Sequence, residues 1–227
     1  MAPSGILYLV ATPIGNLGDI TFRAVQTLRD VDFVICEDSR RSGLLLKHLE
    51  IKRPFRTFHE HSGESKKNSI LEELRQGKSA AFITDAGTPL ISDPGFDLVR
   101  DAVKAGIRIE SIPGPSAFVS ALIVSVLPSH AFTFLGYLPQ KEKARRDALR
   151  QLTDEPRTLI FYESPFRVLK TLKDMLEILG DRPASVSREL TKKFEETMRG
   201  KISDMINSLA VKKLLGEWVI VVHGKQE

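Results

Sequence analysis

The chain has little that would point to an oxidising or membrane environment. Its 227 residues contain one cysteine, Cys36, so an internal disulfide is excluded and a reducing compartment, the cytoplasm, is expected. No apolar run approaches the ~20 residues of a membrane span. The opening MAPSGILYLVATP has no basic segment of the kind that starts a signal peptide. Cys36 itself lies in the apolar run VDFVIC, which is typical of a core position rather than of a nucleophile.

Common ligand-binding motifs are also missing. There is no GxxxxGK[ST], no GxGxxG after the first predicted strand, and no HExxH, CxxC or GxSxG. His59 and His61 flank Glu60, but two histidines at this spacing are a weak metal signal, so we predict no metal. A ligand would therefore have to be held by main-chain groups and helix termini, with carboxylates for hydroxyl groups.

The composition is that of an ordinary globular protein with a small basic excess. Hydrophobic residues make up 42% and charged residues 27%, and the net charge is +4. A basic excess of this size favours an anionic partner such as nucleic acid. It is equally compatible with a solvated surface that happens to be rich in lysine.

The first half alternates apolar runs with helical patterns. Strands are predicted at 6–11, 31–36, 79–84 and 108–112. Helices are predicted at 42–49, 65–75, 96–105 and 116–126, and Asp19 is expected to cap another helix that reaches Leu28. Such alternation predicts a parallel sheet with helices on both faces.

The second half predicts a mixed α/β arrangement. Strands are expected at 132–136, 158–162, 184–187, 194–198 and 218–222, and helices at 142–152, 165–179 and 202–209. Leu127, Pro128 and Ser129 read as a boundary. The fold class is therefore α/β with two domains, a Rossmann-like one at 1–128 and a mixed one at 129–227.

Four unusual loops follow the strands of the first half. They are TPIGNLGD, CEDSRRS, DAGTPLISDPG and PGPSA. Ligands of open α/β sheets bind beyond the carboxyl ends of the strands. Proline and glycine expose the main chain there, and a helix beginning at Ser116 would offer free N–H groups to a carboxylate or phosphate. One such loop alone could be a sharp turn or a cap, but four at one edge predict a binding site.

At this point the sequence resembles a known family. The stretches LYLVATPIGNLGDIT, CEDSRRSG, TDAGTPLISDPG, IPGPSA, GYLP, FYESPFR, SRELTKKFEE and GEWVIVV cover almost the whole chain. Together they are similar to the tetrapyrrole methylase superfamily, the class III S-adenosylmethionine-dependent methyltransferases, and within it to the branch that methylates ribosomal RNA. The resemblance implies a two-domain fold whose second domain completes the cofactor cleft, and a homodimer. It also implies 2′-O-methylation of a cytidine ribose in small-subunit (16S) rRNA. The branch often carries a further small C-terminal domain, which we do not expect in this sequence.

The resemblance also assigns the cofactor S-adenosylmethionine to particular residues. They are Pro13, Asp85, Gly87, Thr88, Ile91, Ser116, Ala117, Leu135 and Tyr162. Asp85 and Asp93 are carboxylates that could meet a ribose or the cofactor's ammonium group. Leu135 and Tyr162 could instead be core residues. The superfamily's usual Gly-Asp-Pro appears as Gly87-Thr88-Pro89, as in the ribosomal branch, whereas Phe166 departs from that branch's pattern, in which we expect histidine.

A ribose hydroxyl is a poor nucleophile and gains from a base or a nearby cation as its proton leaves. The candidates are Glu37, Asp38, Glu163, Glu189 and Lys192. Glu189 and Lys192 are three residues apart, so on a helical turn they would face the same side. The alternative for this pair is a simple surface ion pair.

RNA binding would use basic side chains against phosphates. The candidates are Asn16, Arg40, Arg41, Arg145, Arg146, Arg167 and Arg188. The charges of the helix that contains Arg145 and Arg146 could equally be the solvated face of an amphipathic helix. Two other functions stay open: a small-molecule tetrapyrrole methylase, and a non-catalytic module that binds the cofactor or RNA.

Overall fold

The structure is a computed structural model that describes residues 5–59 and 62–226. The chain divides into two compact units, Met1–Ser116 and Ala117–Glu227. Each unit contains one five-stranded sheet. The expected α/β class is confirmed.

The first unit is built on a fully parallel sheet. Its elements are β1 (Ile6–Val10), α1 (Phe22–Asp30), β2 (Phe33–Cys36), α2 (Ser39–His48), β3 (Phe55–Thr57), α3 (Glu64–Arg75), β4 (Ala80–Phe82), α4 (Phe96–Lys104) and β5 (Arg108–Ile112). The strand order is β3-β2-β4-β1-β5, and every neighbouring pair is parallel. The sequence missed β3, which has three half-buried residues and too little apolar character to be distinguished from a loop.

Helices cover both faces of this sheet, as the sequence predicted. On one face Phe33 and Ile35 pack with residues of α3 and α4, and on the other Val34 and Cys36 pack with residues of α1 and α2. Successive strand side chains point to opposite faces, so all four residues of β2 are buried. Cys36 is thus a core residue, as expected.

The cap of α1 differs from the sequence expectation. Asp19 ends a short 3₁₀ turn, Leu17–Asp19, and does not cap the following helix. Thr21 takes that role, because its side chain accepts a hydrogen bond from the N–H of Ala24 at 3.1 Å. The turn residues between strand and helix are therefore used to shape a loop rather than to lengthen the helix.

The second unit has a mixed sheet. Its elements are α5 (Ala117–Ser125), β6 (Phe132–Tyr137), α6 (Glu142–Arg150), β7 (Thr158–Glu163), α7 (Val168–Leu179), β8 (Pro183–Arg188), β9 (Glu196–Lys201), α8 (Ile202–Ala210) and β10 (Trp218–Val222). The strand order is β6-β7-β10-β8-β9. β6 and β7 are parallel, whereas β10 runs antiparallel to both β7 and β8, and β9 is antiparallel to β8.

Two element starts in the second unit lie later than expected. The strand predicted at 194–198 is Glu196–Lys201, and the helix predicted from Pro165 begins at Val168. In both cases residues of a tight loop, and not of the element itself, follow the preceding strand. The helices α6, α7 and α8 contribute to one core with Phe161, Val186 and Trp218.

The division between the units falls after Ser116, whereas the sequence pattern placed a boundary after Pro128. The reason is the packing of α5, which contacts β7, β8 and β10. The strand-helix alternation in the sequence assigns α5 to the first sheet, but the helix packs on the second sheet. None of the helices within the described residues combines the length and apolar character needed to cross a membrane.

Candidate functional site

The four unusual loops lie at one edge of the first sheet. They follow β1, β2, β4 and β5, which are adjacent in the order β2-β4-β1-β5 and all parallel. Parallel strands end at the same edge, so the loops emerge side by side, as the sequence predicted.

Hydrogen bonds join three of these loops into one assembly. Thr12 and Gly87 form a two-way bridge, with N–H···O distances of 2.9 and 3.0 Å. The hydroxyl of Thr12 donates to the carbonyl of Thr84 at 3.2 Å, and that of Thr88 donates to the carbonyl of Pro115 at 3.1 Å. The loops after β1, β4 and β5 are therefore fixed relative to one another.

The bend between β4 and α4 stores backbone strain. Four of its residues adopt left-handed conformations: Gly87 (φ 84°), Leu90 (φ 70°), Ser92 (φ 62°) and Gly95 (φ 118°). Leu90 and Ser92 are not glycines, and such residues cost about 1–3 kcal/mol each. At Gly95 a Cβ atom would lie 2.3 Å from the ring of Phe82, so only glycine fits. Strain of this kind is held where the surrounding structure fixes it, often at ligand sites.

Two carboxylates at this edge, Asp85 and Asp93, have unusual surroundings. One oxygen of Asp85 lies 3.1 Å from Arg41, while its other oxygen is buried and has no hydrogen-bond partner among the described residues. Burial raises the pKa of Asp93 to about 6, helped by Glu37 and Asp85 and opposed by a hydrogen bond with Thr84. An unsatisfied acceptor and a carboxyl of raised pKa are typical of functional sites.

Cavities flank these loops. One of about 170 Å³ is lined by Thr12, Pro13, Leu17, Arg41, Leu44, Leu45 and Asp85. A second, of about 380 Å³, includes Asp93 in its lining. A larger apolar cavity of about 690 Å³ lies where α2 ends and β3 begins, around Leu46 and Phe55. It is at the amino end of β3, so we assign the candidate site to the smaller polar cavities at the carboxyl edge.

The structure brings most of the predicted cofactor residues of the first unit to this edge. Pro13 lines the small cavity beside Asp85. Gly87, Thr88 and Ile91 lie in the strained bend, and the N–H of Ile91 donates to the carbonyl of Thr88 at 3.3 Å. Ser116 directly precedes the start of α5.

In the second unit, Ala117, Leu135 and Tyr162 make contacts of their own. Ala117 is the first residue of α5. Leu135 packs against the core of that unit. The hydroxyl of Tyr162 accepts a hydrogen bond from the N–H of Phe118 at 3.2 Å, and its ring meets Phe134 edge-on at 4.9 Å. One N–H group at the start of α5 is thus already bonded.

Glu163 is placed as a structural carboxylate. It is 2% exposed and accepts hydrogen bonds from the N–H of Ser164 at 2.7 Å, from Arg167 at 2.8 Å and from the hydroxyl of Thr171 at 2.7 Å. Arg167 donates in addition to the carbonyl of Leu138 at 3.2 Å. Because these bonds occupy both oxygens, the geometry argues against Glu163 as a base and gives Arg167 an internal role.

Glu189 and Lys192 do pair, but not on a helix. Glu189 (φ 49°) and Thr191 (φ 66°) are left-handed, and the segment forms a tight turn. The Lys192 ammonium lies 2.9 Å from Glu189 and 2.8 Å from Glu217. Although burial lowers the pKa of Lys192, the hydrogen bonds with these carboxylates raise it above its ordinary value. Lys192 therefore stays protonated and cannot accept a proton near neutral pH.

Arg145 and Arg146 are not an exposed basic pair. Arg145 is 5% exposed, and its guanidinium lies 2.6 Å from Asp174. Arg146 binds the other oxygen of Asp174 at 2.8 Å and also Glu177. These ion pairs join α6 to α7, so the structure argues against the predicted phosphate contacts. The helix pattern showed the charges but not the acidic partners on another helix.

The remaining RNA candidates differ in exposure. Asn16 caps its loop by accepting a hydrogen bond from the N–H of Gly18 at 3.0 Å. The Arg40 side chain is 89% exposed and pairs with Asp38, whereas Arg41 is 71% exposed and pairs with Asp85. The Arg188 side chain is 21% exposed and lies 5.9 Å from the Trp218 ring centre. Among the arginines of this set, Arg40 and Arg41 are thus the largely accessible ones.

Comparisons with known proteins agree with this fold. The family model "Tetrapyrrole (Corrin/Porphyrin) Methylases" matches residues 6–206. The chain is 47% identical to ribosomal RNA small subunit methyltransferase I of Thermotoga maritima, over 98% of this chain and 100% of that protein. It is 49% identical to the protein of the same name from Haemophilus influenzae, over 98% of this chain and 80% of that one.

Solved structures with the same fold are more distant in sequence. A cobalt precorrin-4 methyltransferase aligns with a TM-score of 0.71 at 19% identity, covering 96% of this chain and 94% of that one. A uroporphyrin III C-methyltransferase from Thermus thermophilus aligns with a TM-score of 0.65 at 19% identity, covering 96% and 97%. At this identity the likeness shows the arrangement of strands and helices alone.

Proposed function

Because the chain belongs to the tetrapyrrole methylase family, we propose that it 2′-O-methylates a cytidine ribose in small-subunit ribosomal RNA. The chain is a methyltransferase and its cofactor is S-adenosylmethionine. The observation that carries the RNA substrate is the identity of 46–49% with ribosomal RNA methyltransferases over nearly the full chain. The small-molecule methylases share only the fold at 19% identity. We include a cytoplasmic location and a homodimer in this proposal.

The residues at the carboxyl edge of the first sheet fit a cofactor held by main-chain groups. Gly87 takes a left-handed conformation that side chains rarely adopt, and at Gly114 a Cβ atom would come within 3.0 Å of Ala11. Gly114 therefore allows the loops after β1 and β5 to pack closely, and at Gly87 the bare main chain lets a ligand approach. One buried oxygen of Asp85 has no hydrogen-bond partner within residues 5–59 and 62–226, and it would accept a hydrogen bond from an ammonium or ribose hydroxyl group.

We assign the cofactor to Pro13, Asp85, Gly87, Thr88, Ile91 and Ser116 in the first unit. Ala117, Leu135 and Tyr162 of the second unit stay predictions of the family resemblance. When bound, S-adenosylmethionine supplies an electrophilic methyl group, and the protein's part is alignment. The bonds that join the loops after β1, β4 and β5 supply the rigidity which this alignment needs.

For RNA we retain the accessible basic side chains and omit the buried pair Arg145 and Arg146. Arg40 and Arg41 follow β2 at the candidate site, where an RNA phosphate would compete with Asp38 and Asp85 for them. Asn16, Arg167 and Arg188 stay predictions, although each has an internal partner.

The proposal is tested with labelled S-adenosylmethionine and small ribosomal subunits from a strain that lacks the endogenous enzyme. We expect label in the rRNA, mapped to the 2′ oxygen of one cytidine. Subunits from the parent strain, which already carry the methyl group, are the control and should take up none. Label on a porphyrin precursor and not on rRNA would support a small-molecule methylase instead, and cofactor binding without any transfer would indicate a non-catalytic module.

A further inference from the structure

Exposed aromatic side chains lie at the carboxyl edge of the second sheet. β6 and β7 are parallel, and β8 runs in the same direction as β7 because β10 is antiparallel to both. The loops that follow these three strands therefore emerge at one edge. Tyr137 at the end of β6 is 56% exposed, Phe166 after β7 is 88% exposed and Phe194 after β8 is 64% exposed. One exposed apolar residue is ordinary, but a ring on each of three loops at one edge indicates a surface for a partner.

The loops that carry these rings are fixed by bonds within the second unit. Arg167, in the loop after β7, donates to the carbonyl of Leu138 in the loop after β6 at 3.2 Å. In the loop after β8, the N–H of Glu189 donates to the carbonyl of Glu217 at 2.9 Å, and Lys192 binds the carboxylates of both. Because the loops are already held, a ligand that contacts the rings does not have to order them.

The exposed charges beside the rings favour an anionic partner. In the three loops and at the starts of α6 and α7, the exposed lysines are Lys141, Lys143, Lys170 and Lys193. The exposed carboxylates of the same segments are Glu142 and Glu195. Glu195 accepts a hydrogen bond from the N–H of Thr191 at 2.5 Å, so its charge is partly used within its own loop. The surplus of ammonium groups makes the surface attractive to phosphates.

Separate rings with lysines beside them fit RNA better than they fit a protein. A protein interface has a contiguous apolar core, whereas each ring stands on its own loop. Unpaired bases stack on aromatic faces while lysine side chains meet the phosphates between them. The ammonium group of Lys193 lies 5.7 Å from the ring centre of Phe194, so one loop offers both kinds of contact. Strands about 4.8 Å apart place the loops after β6 and β8 roughly 14 Å apart, which a short run of nucleotides can span.

We propose that Tyr137, Phe166, Phe194 and Lys193 form an RNA-stacking surface that holds a single-stranded segment of the rRNA. Bases of that segment stack on the three rings, and the Lys193 ammonium binds a phosphate. The choice of RNA as partner rests on the proposed function. The surface supplies contacts to the substrate which the buried pair Arg145 and Arg146 cannot make.

The first test is binding of the full chain to a fluorescein-labelled, unstructured RNA oligonucleotide of mixed sequence, followed by fluorescence anisotropy at low salt. Phe166→Leu keeps an apolar side chain but removes the ring, so Kd should rise at least about fivefold. Phe166→Tyr keeps the ring and should bind as the wild type does. The same oligonucleotide annealed to its complement has no unpaired base, so the wild type and Phe166→Leu should bind this duplex equally.

Phe132→Leu is the matched control. Phe132 is 39% exposed and lies at the other end of β6, away from the RNA-stacking surface, so its replacement should leave the Kd for the oligonucleotide unchanged. Phe194→Leu is the second test variant and should lose affinity as Phe166→Leu does. Circular dichroism confirms that each variant is folded. Equal weakening by the control, an equal loss in Phe166→Tyr, or full affinity in both test variants would overturn the inference.

The phosphate contact of Lys193 is tested by the salt dependence of the same binding. Each phosphate contact on a single strand contributes about 0.7 to the slope of log K against log salt concentration. Lys193→Gln should therefore make this slope shallower by about 0.7. A slope equal to that of the wild type would contradict the assignment of Lys193 to a phosphate.

Methyl transfer to small subunits separates the RNA-stacking surface from the proposed function. Phe166→Leu and Phe194→Leu should raise KM for subunits, whereas kcat and the Kd for S-adenosylmethionine should stay within about twofold. If the wild type binds the oligonucleotide through its rings but transfers no methyl group to subunits, the proposed function fails and the surface stands. Wild-type transfer with an unchanged KM in both variants would sink the surface alone.

Discussion

The charged groups at the carboxyl edges of the two sheets differ in how fully they are hydrogen-bonded. At the edge of the first sheet, Asp85 keeps one buried oxygen without a partner in the described structure, and Asp93 has a pKa raised to about 6. Where β7 and β8 end in the second sheet, Glu163 is bonded on both oxygens and Lys192 is bonded to two carboxylates.

The contrast separates charges that serve folding from charges that await a ligand. A buried charge with full hydrogen bonding is stable and has no capacity left for a substrate. A buried acceptor without a partner costs free energy in the free protein and can recover it on binding. By this criterion we propose the bend 85–95 as the ligand-binding region, whereas the bonds of Glu163 and Arg145 serve the fold.

The largest effect is expected from reversing the charge at Arg145. Arg145→Glu places a carboxylate beside Asp174 and removes a buried ion pair, so it should cost more than about 3 kcal/mol of unfolding free energy. Urea denaturation followed by circular dichroism measures this loss. Arg40→Glu, at a side chain that is 89% exposed, should match the wild type in stability. Equal stability of the two variants would contradict the structural role of Arg145.

The next largest loss of unfolding free energy is expected for Glu163→Gln. The amide keeps the size of the side chain but cannot accept the bonds from Ser164, Arg167 and Thr171 together, and the Arg167 charge loses its partner. We expect a loss of about 2–3 kcal/mol by urea denaturation. Cofactor affinity, measured by calorimetry below the unfolding transition, should change little. If the Glu163→Gln variant kept wild-type stability but lost methyltransferase activity, Glu163 would again be a catalytic candidate.

Asp93→Asn should stabilise the protein above pH 6. The raised pKa means that the folded state holds the Asp93 proton more tightly, so this group's stabilising effect is complete below 3.8 and is lost as the pH rises through about 6. The difference between the folded and unfolded pKa values of Asp93 corresponds to about 3 kcal/mol of unfolding free energy. Partial solvent exposure of the carboxyl reduces this contribution to about 2 kcal/mol. The variant should therefore be more stable than the wild type at pH 8 and equal to it at pH 3.5. A constant difference across this range would exclude titration of Asp93 as its cause.

The smallest effect concerns two glycines. Gly87→Ala forces a side chain into a left-handed conformation (φ 84°) and should cost about 1–2 kcal/mol and weaken cofactor binding. Gly43→Ala, within α2 and with nothing inside 4 Å of the new methyl group, should stabilise by about 0.5–1 kcal/mol. Differential scanning fluorimetry and calorimetry with S-adenosylmethionine measure both. Stabilisation by both substitutions would show that Gly87 is not held in its observed conformation.

Most of the first sheet and its edge could be predicted, because the information is local. The apolar run of β1 and the turn residues after Val10 lie together in the chain, and parallel strands bring every such loop to one edge. The strand β3 and the cap at Thr21 were missed, since one is too short and polar and the other competes with an equally good cap at Asp19.

The roles of individual charges could not be predicted in the same way. The sequence indicated Arg145 as a phosphate ligand. In the structure Arg145 donates a hydrogen bond at 2.7 Å to Asp174 of α7, which lies 29 residues further along the chain. Glu189 and Lys192 suggested a helical face, whereas two left-handed residues turn the chain. The pKa of Asp93 is raised mainly by burial, and further by Glu37, which follows another strand, and by Asp85.

The sequence by itself determined the α/β class, the parallel first sheet and the family, because hydrophobic periodicity and turn chemistry are encoded by neighbouring residues. Tertiary structure alone decided which charges are satisfied and which are left over, and to which sheet α5 belongs. Burial and ion pairing depend on partners that are distant in the chain, and such partners meet only when the strands and helices have packed.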